Sequence, residues 1–320
     1  MKKLLAIMLV LALVLVGCGS SGGESAGDEI DISFGTGGTS GTYYAFGGVL
    51  AGVLSEAVEG VNISVQSTGA SKANIQLISD GEAQMALVQN DTMDYAYKGT
   101  DLFADEGALK GFMTMGGIYA EVCQIVTSDK ITSIDQLKGK VVSVGDAGSG
   151  VEFNARQILE SYGISFDDIK VANLGFGESA NAFKDGKIDA FFVTAGAPTT
   201  ALVDLATTNK INVLEIDDEH AKDLMNKHPF YTQYVVPAGS YKGVDDDKKT
   251  VAVKATVIVS EKLPEDVVYN LTKAMFDKKD EIAAGHAKGE NLDPKYAVEG
   301  MSVPFHPGAE KYYKEVGVLK

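Results

Sequence analysis

The chain has 320 residues, 45% hydrophobic and 22% charged, a composition typical of a globular protein with enough core for two domains. Its formal net charge is -16, from 44 acidic against 28 basic residues. Phosphate contacts need clustered lysine and arginine, so this balance argues against nucleic acid as a partner.

The first residues have the pattern of an export signal. Two lysines precede an apolar run over residues 4–16, which is too short to span a bilayer but fits the core of a secretory signal. The run ends in LVGC, which resembles the lipobox of bacterial lipoproteins. We predict a signal peptide over 1–17 and a lipid anchor at Cys18; an ordinary signal with a chance cysteine is the alternative.

Residues 19–27 are small and polar, which predicts a flexible tether over 18–29 between the lipid and the folded part. No later run is long and apolar enough to predict a transmembrane helix. We therefore expect a protein anchored outside the cytoplasmic membrane of a Gram-positive cell, or in the periplasm of a Gram-negative one. Cys123 lies in an apolar run and is predicted to be a buried strand residue.

From residue 30 onward, strand-like and helix-like segments alternate, which predicts an α/β fold with parallel sheets flanked by helices. The predicted strands cover 30–34, 63–66, 85–89, 112–119, 121–127, 140–145, 171–174, 188–193, 211–216 and 250–260. The predicted helices cover 42–58, 71–79, 91–97, 149–162, 264–284 and 307–316, with a short helix opening at Ser133 and others between the later strands. We expect two lobes whose chain crossings lie near 118–128 and 235–256.

Ligands bind at the carboxyl ends of strands in open α/β sheets, and several loops there are small and polar. Loop 35–43 combines glycines, hydroxyl groups and a helix start, which suits a carboxylate or phosphate. A dinucleotide motif lacks its third glycine there, and a P-loop lacks its lysine. Loop 67–71, followed by Asn74, fits a binding loop and a helix cap equally well.

Three further loops are candidates. At 89–91, Gln89 is the better ligand candidate because Asp91 fits an N-cap. At 146–150, Ser149 and Glu152 have the spacing of a capping box, which still leaves N–H groups for a ligand. Segment 194–198 follows an apolar strand, and its proline could open a helix.

Arg156 is the only arginine of the chain. It could clamp a carboxylate, but Glu152 and Glu160 lie four residues to either side, and we favour ion pairs with them. The four histidines are scattered, and no nucleophile motif is present. Donor-rich loops without a catalytic constellation indicate binding, so we expect no enzyme activity, no cofactor and no metal.

The sequence resembles the TAXI family, the extracytoplasmic receptors of one branch of TRAP transporters. The resemblance covers nearly the whole chain after the signal and is carried by 35–44, 66–71 with Asn74, 137–145, 148–150, 237–241, 250–253 and 306–313. It implies a two-lobed type II periplasmic-binding-protein fold around a ligand cleft. We assign 30–120 with 236–320 to the first lobe and 121–235 to the second.

The resemblance also implies delivery of a solute, glutamate or a related amino acid, to an ion-driven TRAP permease. It places Thr36, Gly38, Ser40 and Tyr43 on one side of the cleft, Ser149, Gly150, Ala195, Gly196 and Pro198 on the other, and less directly Gln89 and Tyr231. The polar loops add Thr39, Ser67, Thr68, Gly69 and Asn74. Ala197 stands where relatives often carry a bulkier residue, which leaves the ligand's size open.

Other interpretations remain. The chain could be a receptor of the same fold for an ABC transporter, binding a sulfonate or a thiamine precursor. It could also be a surface hydrolase, or a structural lipoprotein with an empty cleft. We expect a monomer in each case.

Overall fold

The computed structural model describes residues 29–320, so the predicted signal peptide, Cys18 and nearly all of the tether lie outside the described residues. The strands are β1 (Ile30–Gly35), β2 (Val61–Gln66), β3 (Met85–Gln89), β4 (Phe112–Thr127), β5 (Val141–Ser143), β6 (Lys170–Ala172), β7 (Ala190–Ala195), β8 (Asn212–Leu214), β9 (Thr232–Val236) and β10 (Lys248–Ser260).

The helices are α1 (Thr42–Ala57), α2 (Ser71–Asp80), α3 (Asn90–Lys98), α4 (Gly150–Ser161), α5 (Phe176–Lys184), α6 (Thr200–Thr208), α7 (Asp218–Lys227), α8 (Glu265–Asp277), α9 (Lys279–Gly285), α10 (Pro294–Val298) and α11 (Pro307–Glu315). Short 3-10 helices cover Asp101–Phe103, Ile134–Leu137, Phe166–Asp168 and Ala287–Asn291. Across residues 29–320, no helix is both long and apolar enough to cross a membrane.

The strands form one sheet in the order β2-β1-β3-β10-β4-β7-β5-β6, with β9 paired to β10 and β8 to β4. On one side of the sheet, β1 is parallel to both β2 and β3. On the other side, β5 is parallel to both β6 and β7. Each parallel set has its own helices, and this gives the molecule two α/β lobes.

Two long antiparallel strands, β4 and β10, run through both lobes. The first half of β4 pairs with β10 and its second half with β7. In β10, the end at 255–259 pairs with β3, whereas the start at 248–252 pairs with β9. These strands are therefore the crossings between the lobes, and Glu121 pairs with Val253 where they pass.

Each lobe has its own apolar core. The clusters of the first lobe include Phe34, Phe46 and Tyr313 and draw on residues up to 119 and from 255 onward. The clusters of the second lobe draw on residues 122–253. The predicted domain bounds stay a prediction, and the packing of Val236 and Tyr241 with the second lobe favours placing the second bound nearer residue 253.

Several element predictions differ from the structure. Segments 112–119 and 121–127 form one continuous strand, because Ala120 and Glu121 keep regular pairing with Lys254 and Val253 of β10. The helix predicted over 264–284 is two helices that separate at Lys278, whose backbone leaves helical geometry at φ -98° and ψ 18°. The helix predicted at Ser133 is a 3-10 turn, and β9 was not predicted. Cys123 is buried in β4, as predicted.

Helix packing in the first lobe requires one glycine. Helix α11 meets the start of α8 so closely that a Cβ atom on Gly308 would lie 2.2 Å from the carbonyl oxygen of Glu265 and 2.5 Å from the Tyr269 nitrogen. Both atoms belong to a backbone and cannot rotate away. In α1, by contrast, a Cβ atom on the exposed Gly52 would have no neighbour within 4 Å.

We therefore expect Gly308→Ala to lower the free energy of unfolding by about 1–3 kcal/mol, because α11 must move away from α8. The matched variant Gly52→Ala should raise it by about 0.5–1 kcal/mol, because alanine favours a helix interior. Denaturant unfolding followed by circular dichroism measures both. Equal effects of the two substitutions would contradict the packing described.

Candidate functional site

A cavity of about 590 Å³ lies between the lobes, at the carboxyl ends of the parallel strands. From the first lobe it is lined by residues 37–43, 67–71 and Gln89, and from β4 by Glu121. From the second lobe it is lined by Asp146, 149–151, 175–178, Asn181, Thr194 and Ala195. Every βα loop that contributes to this lining follows a strand that ends at the cleft.

Several helices begin at the cavity without a capping side chain. The N-cap residues of α1 and α2 are Gly41 and Ala70, which have no side-chain oxygen for the N–H groups of the first turn. Ala70 has φ 64°, a conformation that is uncommon for a residue with a side chain, and its N–H bonds to Thr68 Oγ1 at 3.1 Å. These helix ends therefore offer N–H donors and a partial positive charge to a ligand.

The start of α4 is capped by its own side chains. Ser149 Oγ accepts a hydrogen bond from the Glu152 nitrogen at 3.2 Å, as the predicted capping box requires. The Glu152 carboxylate accepts from Gly148 N at 2.6 Å, one residue before the position that such a box would use. Ser149 still lines the cavity, so its cap and its contact with the cleft coexist.

A buried acid, Glu121, lines the cavity. Glu121 is only 2% exposed, and its carboxylate accepts a hydrogen bond from the Tyr43 hydroxyl at 2.9 Å and another from the Gln89 side chain. Burial raises the pKa of Glu121 to about 8, although the bond from Tyr43 opposes that shift. Gln89 is itself held by a bond from its N–H to Ser71 Oγ at 3.0 Å.

The two lobes touch across the cleft. The Thr42 hydroxyl donates to the Gly196 carbonyl at 3.1 Å, and the Ala201 N–H donates to the Ser40 carbonyl at 3.3 Å. Behind the cavity, the amide of Asn154 in α4 donates to Asp91 of α3 at 3.0 Å. The structure is therefore a closed arrangement of the lobes.

Most of the predicted site residues come together in this cavity. Those that line it are Gly38, Thr39, Ser40, Tyr43, Ser67, Thr68, Gly69, Gln89, Ser149, Gly150 and Ala195. The hydroxyl of Tyr43 donates to Glu121, so this side chain both lines the cavity and holds the buried acid.

Two predicted residues of the first lobe lie outside the cavity lining, because their polar groups hold the loops together. The Thr36 hydroxyl donates to the Gln66 carbonyl at 2.6 Å. The Asn74 amide donates to the carbonyls of Thr36 and Leu87 at 2.6 and 2.7 Å, which ties loop 36–41 to β3. Both residues are fully buried.

Three predicted residues of the second lobe are also outside the lining. Gly196 contacts the other lobe through its carbonyl group rather than the cavity. Pro198 follows a cis peptide bond and precedes α6 without lining the cavity. The Tyr231 hydroxyl donates to Gln157 at 2.8 Å, within a buried polar network behind the cavity.

Arg156 is not part of the cavity lining. Its guanidinium carbon lies 4.0 Å from the centre of the Phe166 ring, in a cation–π contact. Among the described residues it forms no ion pair with Glu152 or Glu160, so the predicted pairs are wrong. The Glu152 carboxylate is instead committed to the start of its own helix.

Glu121, Phe176 and Glu178 line the cavity but are not among the residues predicted from the sequence, whereas Asp146 belongs to the predicted loop 146–150. Glu121 had a signal, because it is a lone acidic residue inside the apolar strand segment 118–126. Phe176 and Glu178 start a helix after β6, in a loop with few hydroxyl groups. A Cβ atom on Gly41 would lie 3.4 Å from the Phe176 ring, so this aromatic side chain closes the cleft against loop 36–41.

The sequence profile of the NMT1-like family matches residues 34–317. The chain belongs to the NMT1-like family. Among solved structures, PhnD1 from Prochlorococcus marinus in complex with methylphosphonate is similar, with 10% identity, a TM-score of 0.57 and coverage of 89% of this chain and 95% of that one.

Two further structures have the same architecture. A protein from Bordetella bronchiseptica RB50 has 15% identity and a TM-score of 0.54, over 91% of this chain and 89% of its own. A putative L-cystine ABC transporter from Listeria monocytogenes has 16% identity and a TM-score of 0.50, over 82% of this chain and 97% of its own. The predicted two-lobed periplasmic-binding-protein fold is confirmed, whereas membership of the TAXI family stays a prediction.

The buried acids give the stability of the ligand-free protein a defined pH dependence. Burial raises the pKa of Glu121 from 4.5 to about 8, so between these values the folded state keeps a proton that the unfolded chain releases. The free energy of unfolding should therefore contain a contribution that falls as the pH rises, by up to about 1.4 kcal/mol per pH unit. Asp91, whose pKa burial raises to about 6, adds a similar contribution at lower pH.

We expect Glu121→Gln to lose the part due to Glu121, because glutamine mimics the protonated acid at every pH. Denaturant unfolding at several pH values from about 4.5 to about 8 should show the wild type losing stability relative to the variant. Parallel curves for the two proteins would show that Glu121 titrates in its ordinary range. Asp91 provides the internal comparison, because its contribution is present in both proteins.

Proposed function

We propose that this protein is an extracytoplasmic solute-binding protein that captures a small polar molecule between its lobes and delivers it to a membrane transporter. The observation that carries the proposal is the inter-lobe cavity of about 590 Å³, into which both lobes direct the starts of their helices. This volume lies in the range of about 300–1,000 Å³ that small-molecule sites occupy.

Binding would proceed by lobe closure. A solute held by the first turns of α1 and α2 would meet α4 and α5 only when the lobes come together, so it would favour the closed arrangement. The strands β4 and β10 connect the lobes and would carry the hinge. A transporter that recognises only the closed form would then receive only loaded protein.

We propose a transporter of the ABC type in preference to one of the TRAP type. The structure from Listeria monocytogenes is described as an ABC transporter component, and its fold is shared along most of both chains. The second candidate is a TRAP transporter of the TAXI type, which rests on the loop motifs of the sequence. A gene for a large multispan permease beside this one would favour TRAP, whereas genes for an ATPase and a permease would favour ABC.

The solute is proposed to be small and polar, with an acidic group at the uncapped helix starts. The resemblance found in the sequence points to glutamate or a related amino acid, and the ABC alternative points to a sulfonate or a thiamine precursor. The similar structure from Prochlorococcus marinus contains methylphosphonate. Glutamate, sulfonates and phosphonates share an acidic group whose oxygens would accept hydrogen bonds from the N–H donors at a helix start.

Export and the lipid anchor at Cys18 belong to the same proposal, and both rest on residues outside the described part of the chain. The protein would stay at the outer face of the membrane, next to its transporter and attached by lipid. We propose no catalytic step and no cofactor for the cavity. The cavity would hold its solute through hydrogen bonds and through closure of the lobes.

The proposal is tested by a ligand screen on the soluble chain from Asp28 onward, unfolded and refolded first to remove any solute that co-purifies. A specific solute at 100 times its dissociation constant should raise the free energy of unfolding by about 2.7 kcal/mol, which is visible as a shift in melting temperature. The panel should contain amino acids, dicarboxylates, sulfonates and phosphonates. No shift with any of them, and no solute in the material released on unfolding, would contradict a receptor.

A substitution at Gly150 tests the closure step. A Cβ atom on Gly150 would lie 2.1 Å from Gln89 Oε1 and 2.8 Å from Thr92 Oγ1, and both of these belong to the other lobe. We expect Gly150→Ala to hold the lobes apart and weaken binding of the solute at least about 10-fold, because the steric conflict arises only on closure. Calorimetry gives the affinity, and small-angle X-ray scattering gives the compaction.

Gly48→Ala is the matched control, because Gly48 is exposed in α1 outside the cavity lining and a Cβ atom there has no neighbour within 4 Å. Its affinity and its compaction on binding should remain close to those of the wild type. Wild-type compaction in the Gly150→Ala variant would show that the lobes do not close as described.

A further inference from the structure

The charges that line the cavity are all of one sign. Its ionisable carboxyl groups are those of Glu121, Asp146 and Glu178, and the described lining contains no lysine, arginine or histidine. Lys288 of the first lobe donates to the carbonyl of Ala197, and neither residue lines the cavity. The sole arginine lies against Phe166. An anionic solute would therefore find helix starts but no cationic side chain in this lining.

The three carboxyl groups differ in position. Asp146 and Glu178 are exposed at the second lobe's rim, where solvent screens them. Glu121 lies on the crossing strand β4 and is only 2% exposed, so both lobes shield it from water in the closed arrangement. Its hydrogen-bond donors, Tyr43 and Gln89, are both neutral, and no cationic side chain of the described lining offsets the charge that its ionised form would carry.

The hydrogen bonds at Glu121 also have a direction. Tyr43 donates its hydroxyl to Oε2, and the Gln89 side chain is the second partner. A carboxylate has about four acceptor positions, so two donors leave acceptor capacity toward the cavity. Once Glu121 is ionised, a further partner for its carboxylate must be a donor, and the cavity that Glu121 lines gives a solute access to it.

We propose that Glu121 is the specificity-determining residue of this cavity, and that it selects solutes carrying an ammonium or comparable cationic donor group. The acidic group of such a solute would lie at the starts of α1 and α2, and its cationic group would lie beside Glu121. The inference rests on the proposed function and narrows it to zwitterions or cations. Among sulfonates, phosphonates and carboxylates alike, only the amino-bearing members would bind well.

Binding would then exchange a proton for the solute's cation. Burial raises the pKa of Glu121 to about 8, so in the ligand-free protein it is mostly protonated at neutral pH. The titratable groups that face it are Tyr43 from α1, Asp91 from α3, Tyr296 from α10, and Tyr119 and Cys123 on its own strand. None of them is a cation, so an incoming ammonium would be the charge that ionises Glu121.

The experiment uses pairs of solutes that differ in one amino group. The pairs are glutamate with glutarate, taurine with ethanesulfonate, aminomethylphosphonate with methylphosphonate, and alanine with propionate. Calorimetry on the refolded soluble chain at neutral pH should show that, in each pair with a binding member, the amino-bearing member binds more tightly by about 10- to 100-fold. That range corresponds to a buried, charge-assisted hydrogen bond.

Glu121→Gln should remove this preference, lowering the affinity for the amino-bearing member by about 10- to 100-fold while changing that for its partner little. Glu82→Gln, at an exposed position outside the cavity, is the matched control and should keep the wild-type preference. If Glu121→Gln does not fold, Tyr43→Phe removes one donor to the same carboxylate. It should reduce the preference for the amino-bearing solute by a smaller factor.

A measurement on the wild type needs no variant. Titrations in buffers of different ionisation enthalpy should show close to one proton released per amino-bearing solute bound near pH 7. Equal affinity within the pairs, or binding without proton release, would overturn the role of Glu121 and leave the receptor intact. If no member of any pair binds to the refolded chain, the proposed function fails with it.

Discussion

The antiparallel pair of β4 and β10 is the constraint on which the rest of the structure depends. Because these strands pair with one lobe at each end, neither lobe can complete its sheet without the other. Small residues of β4 allow close packing on both sides: a Cβ atom on Gly117 would lie 2.5 Å from the Lys254 side chain of β10, and one on Gly116 would lie 2.2 Å from the Tyr313 hydroxyl of α11. The crossing strands are thus part of the core, and a residue on them such as Glu121 is buried between the lobes.

Glu121 is the residue for which this placement is costly. A carboxyl group in the middle of a strand that is otherwise apolar loses its hydration, and the raised pKa is the measure of that loss. Tyr43 and Gln89 offset part of the cost, and both come from elements of the first lobe that end at the cleft. A chain that needed only a stable hinge would have an apolar residue here, since replacing a buried charge by an apolar residue is often stabilising. The acid is better explained by what enters the cavity.

The fold could be predicted from the sequence largely because its signals are local. Alternating strands and helices follow from short apolar runs separated by glycine and hydroxyl residues, and the loops at strand ends were therefore in the right place. The errors came from contacts between distant segments. Thr36 and Asn74 look like ligand residues until β3 and the Gln66 carbonyl are brought beside them. Arg156 looks like half of an ion pair until Phe166 is folded beneath it. Phe176 and Glu178 became part of the site only through the closure of the lobes.

Hydrogen bonds between the lobes stabilise the closed arrangement, and buried polar atoms oppose it. Asn154 donates to Asp91 and to Tyr231, which ties α4 to α3, yet its own carbonyl oxygen is buried without a partner among the described residues. An unsatisfied buried acceptor costs about 1–3 kcal/mol, which opening would recover by hydration. Asp91 is also buried against its preference, as its raised pKa shows. The Asn154 side chain therefore favours this arrangement through its bond to Asp91, and opposes it through a buried carbonyl oxygen that no described residue meets.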